Sequence, residues 1–83
     1  MSAILRIPQV TARTGHRSHT SIYEAIRAGL FTTGVAIGQR ARGWPEDEVD
    51  AINAARVAGR SDEQIRELVK RLHAKRSELA GVA

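Results

Sequence analysis

Thr32-Thr33-Gly34-Val35-Ala36-Ile37-Gly38-Gln39-Arg40-Ala41-Arg42-Gly43-Trp44 separates two stretches of helical sequence and does not itself read as helix. Its three glycines penalise a helix. Val35 and Ile37 alternate with Ala36, the period of a strand, and Gly38-Gln39-Arg40 supplies a turn. A returning strand is then expected over residues 41–44. A ribbon this short is barely stable alone and must pack on helices. Trp44, the only tryptophan in the chain, is the natural anchor for that packing.

Upstream of the ribbon, Pro8 suits a first helical position, because its missing N–H would be unpaired there anyway. A short helix is expected over residues 8–14, with Ile7 and Val10 facing inward and Gly15 as its stop. His16-Arg17-Ser18-His19-Thr20-Ser21 follows, polar and rich in capping residues. Ser18 is the expected N-cap, with Thr20 as the alternative. A second helix runs to about Ala28 and buries Ile22, Ala25 and Ile26 at the i, i+3, i+4 spacing. Gly29 ends it, and Leu30 and Phe31 fold back onto the core. Helix, short glycine-containing turn, helix is the order of a helix-turn-helix, an order many small helical proteins share. The ribbon that follows would be its wing.

Downstream, Pro45 opens a third helix, with Glu46, Asp47 and Glu48 at its positive end, where carboxylates are stabilised. Val49, Ile52, Ala55 or Arg56, and Val57 fall roughly on one face, and Gly59 ends the helix. Ser61-Asp62-Glu63-Gln64 is a capping box that starts a fourth helix. The apolar stripe of that helix is Ile65, Leu68, Val69, Leu72 and Leu79. The expected fold is mainly α with a small β-hairpin: a winged helix-turn-helix over residues 1–59 and an amphipathic helix over 60–83. That last helix either packs on the domain or mediates self-association.

Length and composition agree with one small domain. The chain has 83 residues, of which 42% are apolar and 27% charged, so it is ordinary globular sequence. It has no cysteine, which excludes a disulfide scaffold, a thiolate zinc site and thiol catalysis. The early apolar run Ala3-Ile4-Leu5 is cut off by Arg6, so neither a signal peptide nor a membrane span is expected, and the protein is expected in the cytoplasm. Charge is distributed unevenly. Residues 1–45 carry six arginines against Glu24 alone, a net +5, whereas residues 46–83 carry seven basic and eight acidic side chains, a net −1. Eleven of the thirteen basic residues are arginine, whose rigid fork suits phosphate oxygens and guanine edges.

A catalytic reading finds little to use. His16 and His19 lie three apart with no carboxylate nearby in sequence, and two histidines do not close a zinc site. His73 sits among Arg71, Lys75 and Arg76 and reads as part of a solvated face. Ser18, Thr20 and Ser21 lack a base with an orienting partner. The acidic run at 46–50 reads as a helix start rather than a magnesium site. No metal, cofactor, small-molecule ligand or enzymatic activity is therefore expected.

Nucleic acid is better supported. The second helix of a helix-turn-helix enters the major groove by its N-terminal end, which here presents Arg17, Ser18, His19, Thr20 and Ser21. All five can contact phosphates, and Arg17 and His19 can also reach base edges. Tyr23 reads equally well as a phosphate contact or as a half-buried core residue. Arg27, nearer the C-terminus of the helix, suits backbone contact or plain solvation. Arg40 and Arg42 at the ribbon tip either reach an adjacent minor groove or serve solubility.

Taken together, several runs resemble the AlpA-type prophage regulators. They are Arg6-Ile7-Pro8-Gln9-Val10, Thr14-Gly15, Ser21-Ile22-Tyr23, Ile26, Gly29, Phe31, Gly38-Gln39-Arg40, Gly43-Trp44 and Glu48-Val49-Asp50, and they cover about residues 4–52. The resemblance implies a winged helix-turn-helix akin to phage excisionases and to the DNA-binding part of MerR regulators. It places recognition positions on Arg17 to Ser21 and Tyr23, and wing contacts on Gln39, Arg40 and Arg42. It also implies one of two roles: a recombination directionality factor that bends attachment-site DNA and steers an integrase toward excision, or a transcriptional regulator of integrase or excision genes. The chain departs from the family pattern where Thr32-Thr33 replaces a proline after the phenylalanine, and where Ala51-Ile52 replaces an aromatic after Glu-Val-Asp. The turn between Gly15 and Ile22 also reads one residue long.

The expected partner is double-stranded DNA, at an attachment site or a promoter, with an integrase as a further partner. A module this small offers a small footprint, so self-association on tandem sites is expected. Excision is the leading role and transcriptional regulation the alternative. A phage packaging module is a third reading, weakened because the chain is short for the assembly region of a small terminase subunit.

Overall fold

The computed structural model describes residues 3–82, and side chains through residue 78. The elements run β1 (Ile4–Leu5), α1 (Ile7–Thr14), α2 (His19–Arg27), β2 (Val35–Ala36), β3 (Arg42–Pro45), α3 (Glu46–Val57) and α4 (Asp62–Val82). The strands form an antiparallel sheet in the order β1-β3-β2. The architecture is a winged helix-turn-helix with a C-terminal helix.

Helix ends follow the local chemistry. Gly15, Gly29 and Gly59 all take positive φ where helices stop, near +76°, +79° and +77°, a region that only glycine enters without strain. The Ser18 hydroxyl accepts from the Ser21 N–H and caps α2. Ser61 and Gln64 close the capping box in both directions, the Ser61 N–H donating to Gln64 Oε1 at 2.9 Å and the Gln64 N–H to Ser61 Oγ at 3.2 Å. Four residues, 15–18, join α1 to α2.

One core holds all the helices. Leu5, Val10, Ile22, Phe31, Trp44, Val49, Ile52, Ile65 and Val69 are buried together. Trp44 is fully buried and donates its indole N–H to the Thr32 carbonyl at 2.7 Å, so it anchors the ribbon while meeting its own polar need. Ile65 and Val69 bring α4 into this core, with Leu68 and Leu72 packed beside them. The side chain of Leu79, expected on the same stripe, lies outside the described residues.

Several sequence expectations are corrected. The sheet has a third strand: Leu5 pairs with Trp44 and Ile4 with Pro45, and the Glu46 N–H donates to the Ala3 carbonyl. Gly43 permits this pairing, because a Cβ there would stand 2.2 Å from Ile4 Cγ2. The returning strand is shifted one residue, to Arg42–Pro45. Val57 is 89% exposed rather than inward, since Ala55 takes the core side of the last turn of α3. Glu48 sits in the first turn of α3, as expected, but is 5% exposed, a burial the sequence does not show.

Glu48 is compensated from far along the chain. Arg76 of α4 donates to it through Nε at 2.7 Å and also through Nη2, a forked, charge-assisted pair. The same guanidinium donates to the Thr33 carbonyl at 2.9 Å. His73, expected on a solvated face, is half-buried and accepts the Thr33 N–H at Nε2. Arg66 donates to the Ala28 carbonyl at 2.8 Å, its stem lying over Gly29. Three side chains of α4 thus grip the segment that carries the chain from α2 to the ribbon.

Candidate nucleic-acid interface

Two grooves lie between α2 and the ribbon. The first, about 220 Å³, is lined by Arg6, Ile7 and Pro8 at the entry to α1, by His19 and Tyr23 of α2, and by Arg40 and Arg42 of the ribbon. The second, about 240 Å³, is lined by Tyr23, Ile26, Thr33, Gly34, Arg42 and Trp44. Tyr23 and Arg42 line both, so they form the ridge between them. Tyr23 is 46% exposed, a ring half seated against the domain with a face left to solvent.

The geometry follows from local rules. Capping by Ser18 starts α2 at His19 and leaves Arg17, Ser18, His19 and Thr20 exposed at its positive end. The buried side of the helix is fixed by Ile22, with Ala25 and Ile26 packed beside it. The ribbon bends at residues 38–40, closed by the Ile37 N–H donating to the Ala41 carbonyl at 3.0 Å. Gln39, Arg40 and Arg42 are exposed on it. Arg42 reaches back only as far as the Gly34 carbonyl, at 3.5 Å.

Of the residues expected to bind, the structure brings His19, Tyr23, Arg40 and Arg42 to one groove. Arg17, Thr20 and Gln39 are exposed and line neither groove, and Arg27 is exposed at the far end of α2. Two serines do other work. Ser18 Oγ is the helix cap, and the half-buried Ser21 hydroxyl lies 2.6 Å from His16 Nδ1. His16 also packs edge-on to Phe31, with ring centroids 6.4 Å apart. Burial pushes its imidazole below the ordinary value of about 6.5, and the Arg56 guanidinium adds to the effect. His16 thus serves the turn through its contacts with Ser21 and Phe31. Arg6 was missed by the sequence reading, because only the pairing of β1 with β3 carries it beside residues more than thirty positions away.

Other arginines are committed to the protein. Arg13 pairs with Glu46 at 2.8 Å and Asp50 at 3.5 Å, tying α1 to α3, while Arg56 pairs with Asp62 at 3.3 Å. Among the described residues, no group of three histidine or carboxylate side chains is placed to hold a metal ion. No described helix is long and apolar enough to cross a membrane.

Comparison with known proteins gives two findings. The family model of the Prophage CP4-57 regulatory protein (AlpA) matches residues 3–56. A protein of Enterobacteria phage P4, Uncharacterized protein ORF88, is 43% identical over 56 residues, which are 68% of this chain and 62% of the phage protein. The match thus spans less than two thirds of that relative. No solved structure matches the chain. The matched segment contains the helix-turn-helix, the ribbon and most of α3, and it stops short of α4.

Proposed function

The chain belongs to the AlpA family of phage-related DNA-binding regulatory proteins, and from that membership we propose that it binds a specific duplex site of a mobile element as an excisionase. In this reading the exposed start of α2, with Arg17, Ser18, His19 and Thr20, enters a major groove. Ser21 and Tyr23 stand behind it, and Arg27 follows the backbone. Gln39, Arg40 and Arg42 of the ribbon reach the adjacent minor groove. The observation that supports this is the groove shared by His19, Tyr23, Arg40 and Arg42, which puts helix and ribbon on one side of the molecule. The protein would act by positioning and bending attachment-site DNA for an integrase, with no covalent step of its own. Several copies would bind tandem sites cooperatively, since one module buries too little surface for high specificity.

A second reading is favoured by the description of the family itself, a regulatory protein. The same interface on a promoter would control integrase or excision genes without entering the recombination complex. Footprinting across the attachment region and the integrase promoter decides between the two. The excision reading expects clustered, cooperative protection at the attachment site and altered mobility of circularly permuted fragments. Protection confined to the promoter would give the regulator reading, and protection of neither would defeat both.

A further inference from the structure

We propose that the groove between α1, α2 and the ribbon is a binding site for one phosphodiester of the DNA backbone, and that Arg6 is its third guanidinium. The inference rests on the duplex-binding reading above and adds a site and a residue to it. Arg6 lies in the single residue between β1 and α1, and the pairing of Leu5 with Trp44 holds that junction beside the strand that carries Arg42. The groove therefore gathers Arg6, Arg40 and Arg42 with His19 and Tyr23, and Ile7 and Pro8 complete its lining.

The charge balance of this groove is what calls for a ligand. No carboxylate lines it, and none of the three arginines makes an ion pair among the described residues. Arg13, Arg56 and Arg76, by contrast, each meet a carboxylate. Like charges converging on one groove repel, and an anion between them removes that cost. The chemistry of the lining selects the anion. Guanidinium forks fit phosphate oxygens in pairs, and a phenol and an imidazole each add a donor. A strand of sugar and phosphate is also what lies between a helix in a major groove and a wing in the next minor groove.

The test is the salt dependence of binding to a labelled random-sequence duplex and to the footprinted site, for wild type, Arg6→Ala and Arg6→Lys. Loss of one phosphate contact lowers the slope of log K against log salt by about 0.9, which is about an eightfold loss of affinity at about 0.1 M salt that fades toward 1 M. Arg6→Ala is expected to show that loss equally on both duplexes, and Arg6→Lys to restore the slope. A thermal transition shared by all three proteins secures the comparison. An unchanged slope in Arg6→Ala, or a loss on the footprinted site alone, would overturn the inference while leaving duplex binding in place. A wild type that binds no duplex would instead defeat the reading on which it rests.

Discussion

The two sides of the segment that joins α2 to the ribbon use arginine in opposite ways. On the α4 side, Arg66 and Arg76 are spent on the protein: one caps the Ala28 carbonyl, and the other holds Glu48 and Thr33. On the groove side, Arg6, Arg40 and Arg42 line one depression with no carboxylate and no ion pair among the described residues. Residue type alone does not distinguish the two sets. What separates them is where the fold leads each guanidinium: Arg76 meets a buried carboxylate and Arg66 a helix-end carbonyl, whereas no carboxylate lines the groove that Arg6, Arg40 and Arg42 share. One set holds the segment between α2 and the ribbon, and the other is the set proposed above to meet the DNA backbone.

Substitutions on the two sides should therefore fail differently. Arg76→Ala leaves Glu48 buried without its partner and is expected to cost about 3 kcal/mol in denaturant unfolding. Glu48→Gln in the same background should recover a large part of that loss. Full stability in Arg76→Ala would show that the α4 clamp contributes nothing. Arg40→Ala should reverse the profile, with stability within about 0.5 kcal/mol of wild type and duplex binding weaker by about 1–2 kcal/mol. Unchanged affinity in that variant would remove the ribbon from the interface.

A subtler test lies inside the clamp. Thr32 is fully buried, and its hydroxyl has no hydrogen-bond partner among the described residues, although its carbonyl serves Trp44. Thr32→Val keeps the shape and removes an unmet polar group, so it should raise stability by about 1 kcal/mol. A loss instead would mean the hydroxyl is satisfied. The smallest effect concerns His16. Its folded-state pKa is lowered from about 6.5, first by burial and then by Arg56. The unfolded chain therefore takes up the proton more readily, and the contribution of His16, whole above about pH 6.5, is lost as pH falls toward the folded-state value. Chemical denaturation of wild type and His16→Gln between about pH 7 and 5 should show a steeper decline in wild type. Parallel curves would contradict this.

The local grammar of the chain was legible wherever one residue decides a backbone state. Gly15, Gly29 and Gly59 end helices, Ser18 and Ser61 begin them, and Trp44 anchors the ribbon. What escaped depends on contacts between distant positions. Ile4-Leu5 is too short to show a strand period, and only its partner Trp44-Pro45 makes it one. Glu48 is a helix-start acid as read, but its burial escaped because its partner Arg76 lies 28 residues away. Val57 and Ala55 share a helix end where one turn of sequence leaves the inward side open. The binding surface divided in the same way. His19, Tyr23, Arg40 and Arg42 could be named from the order helix, turn, helix, ribbon. The contact of Ser21 with His16 and the arrival of Arg6 could not.

Helix and ribbon should meet one duplex together, and a chain without cysteine allows a direct measurement. Single-cysteine variants Thr20→Cys and Gln39→Cys, each carrying a tethered DNA-cleaving reagent, would mark where each element sits on the footprinted site. The account predicts two cleavage clusters on the same bound duplex, one in a major groove and one in the next minor groove, roughly five base pairs away at half a helical turn. Cleavage from only one of the two positions, or clusters scattered without a fixed spacing, would contradict it.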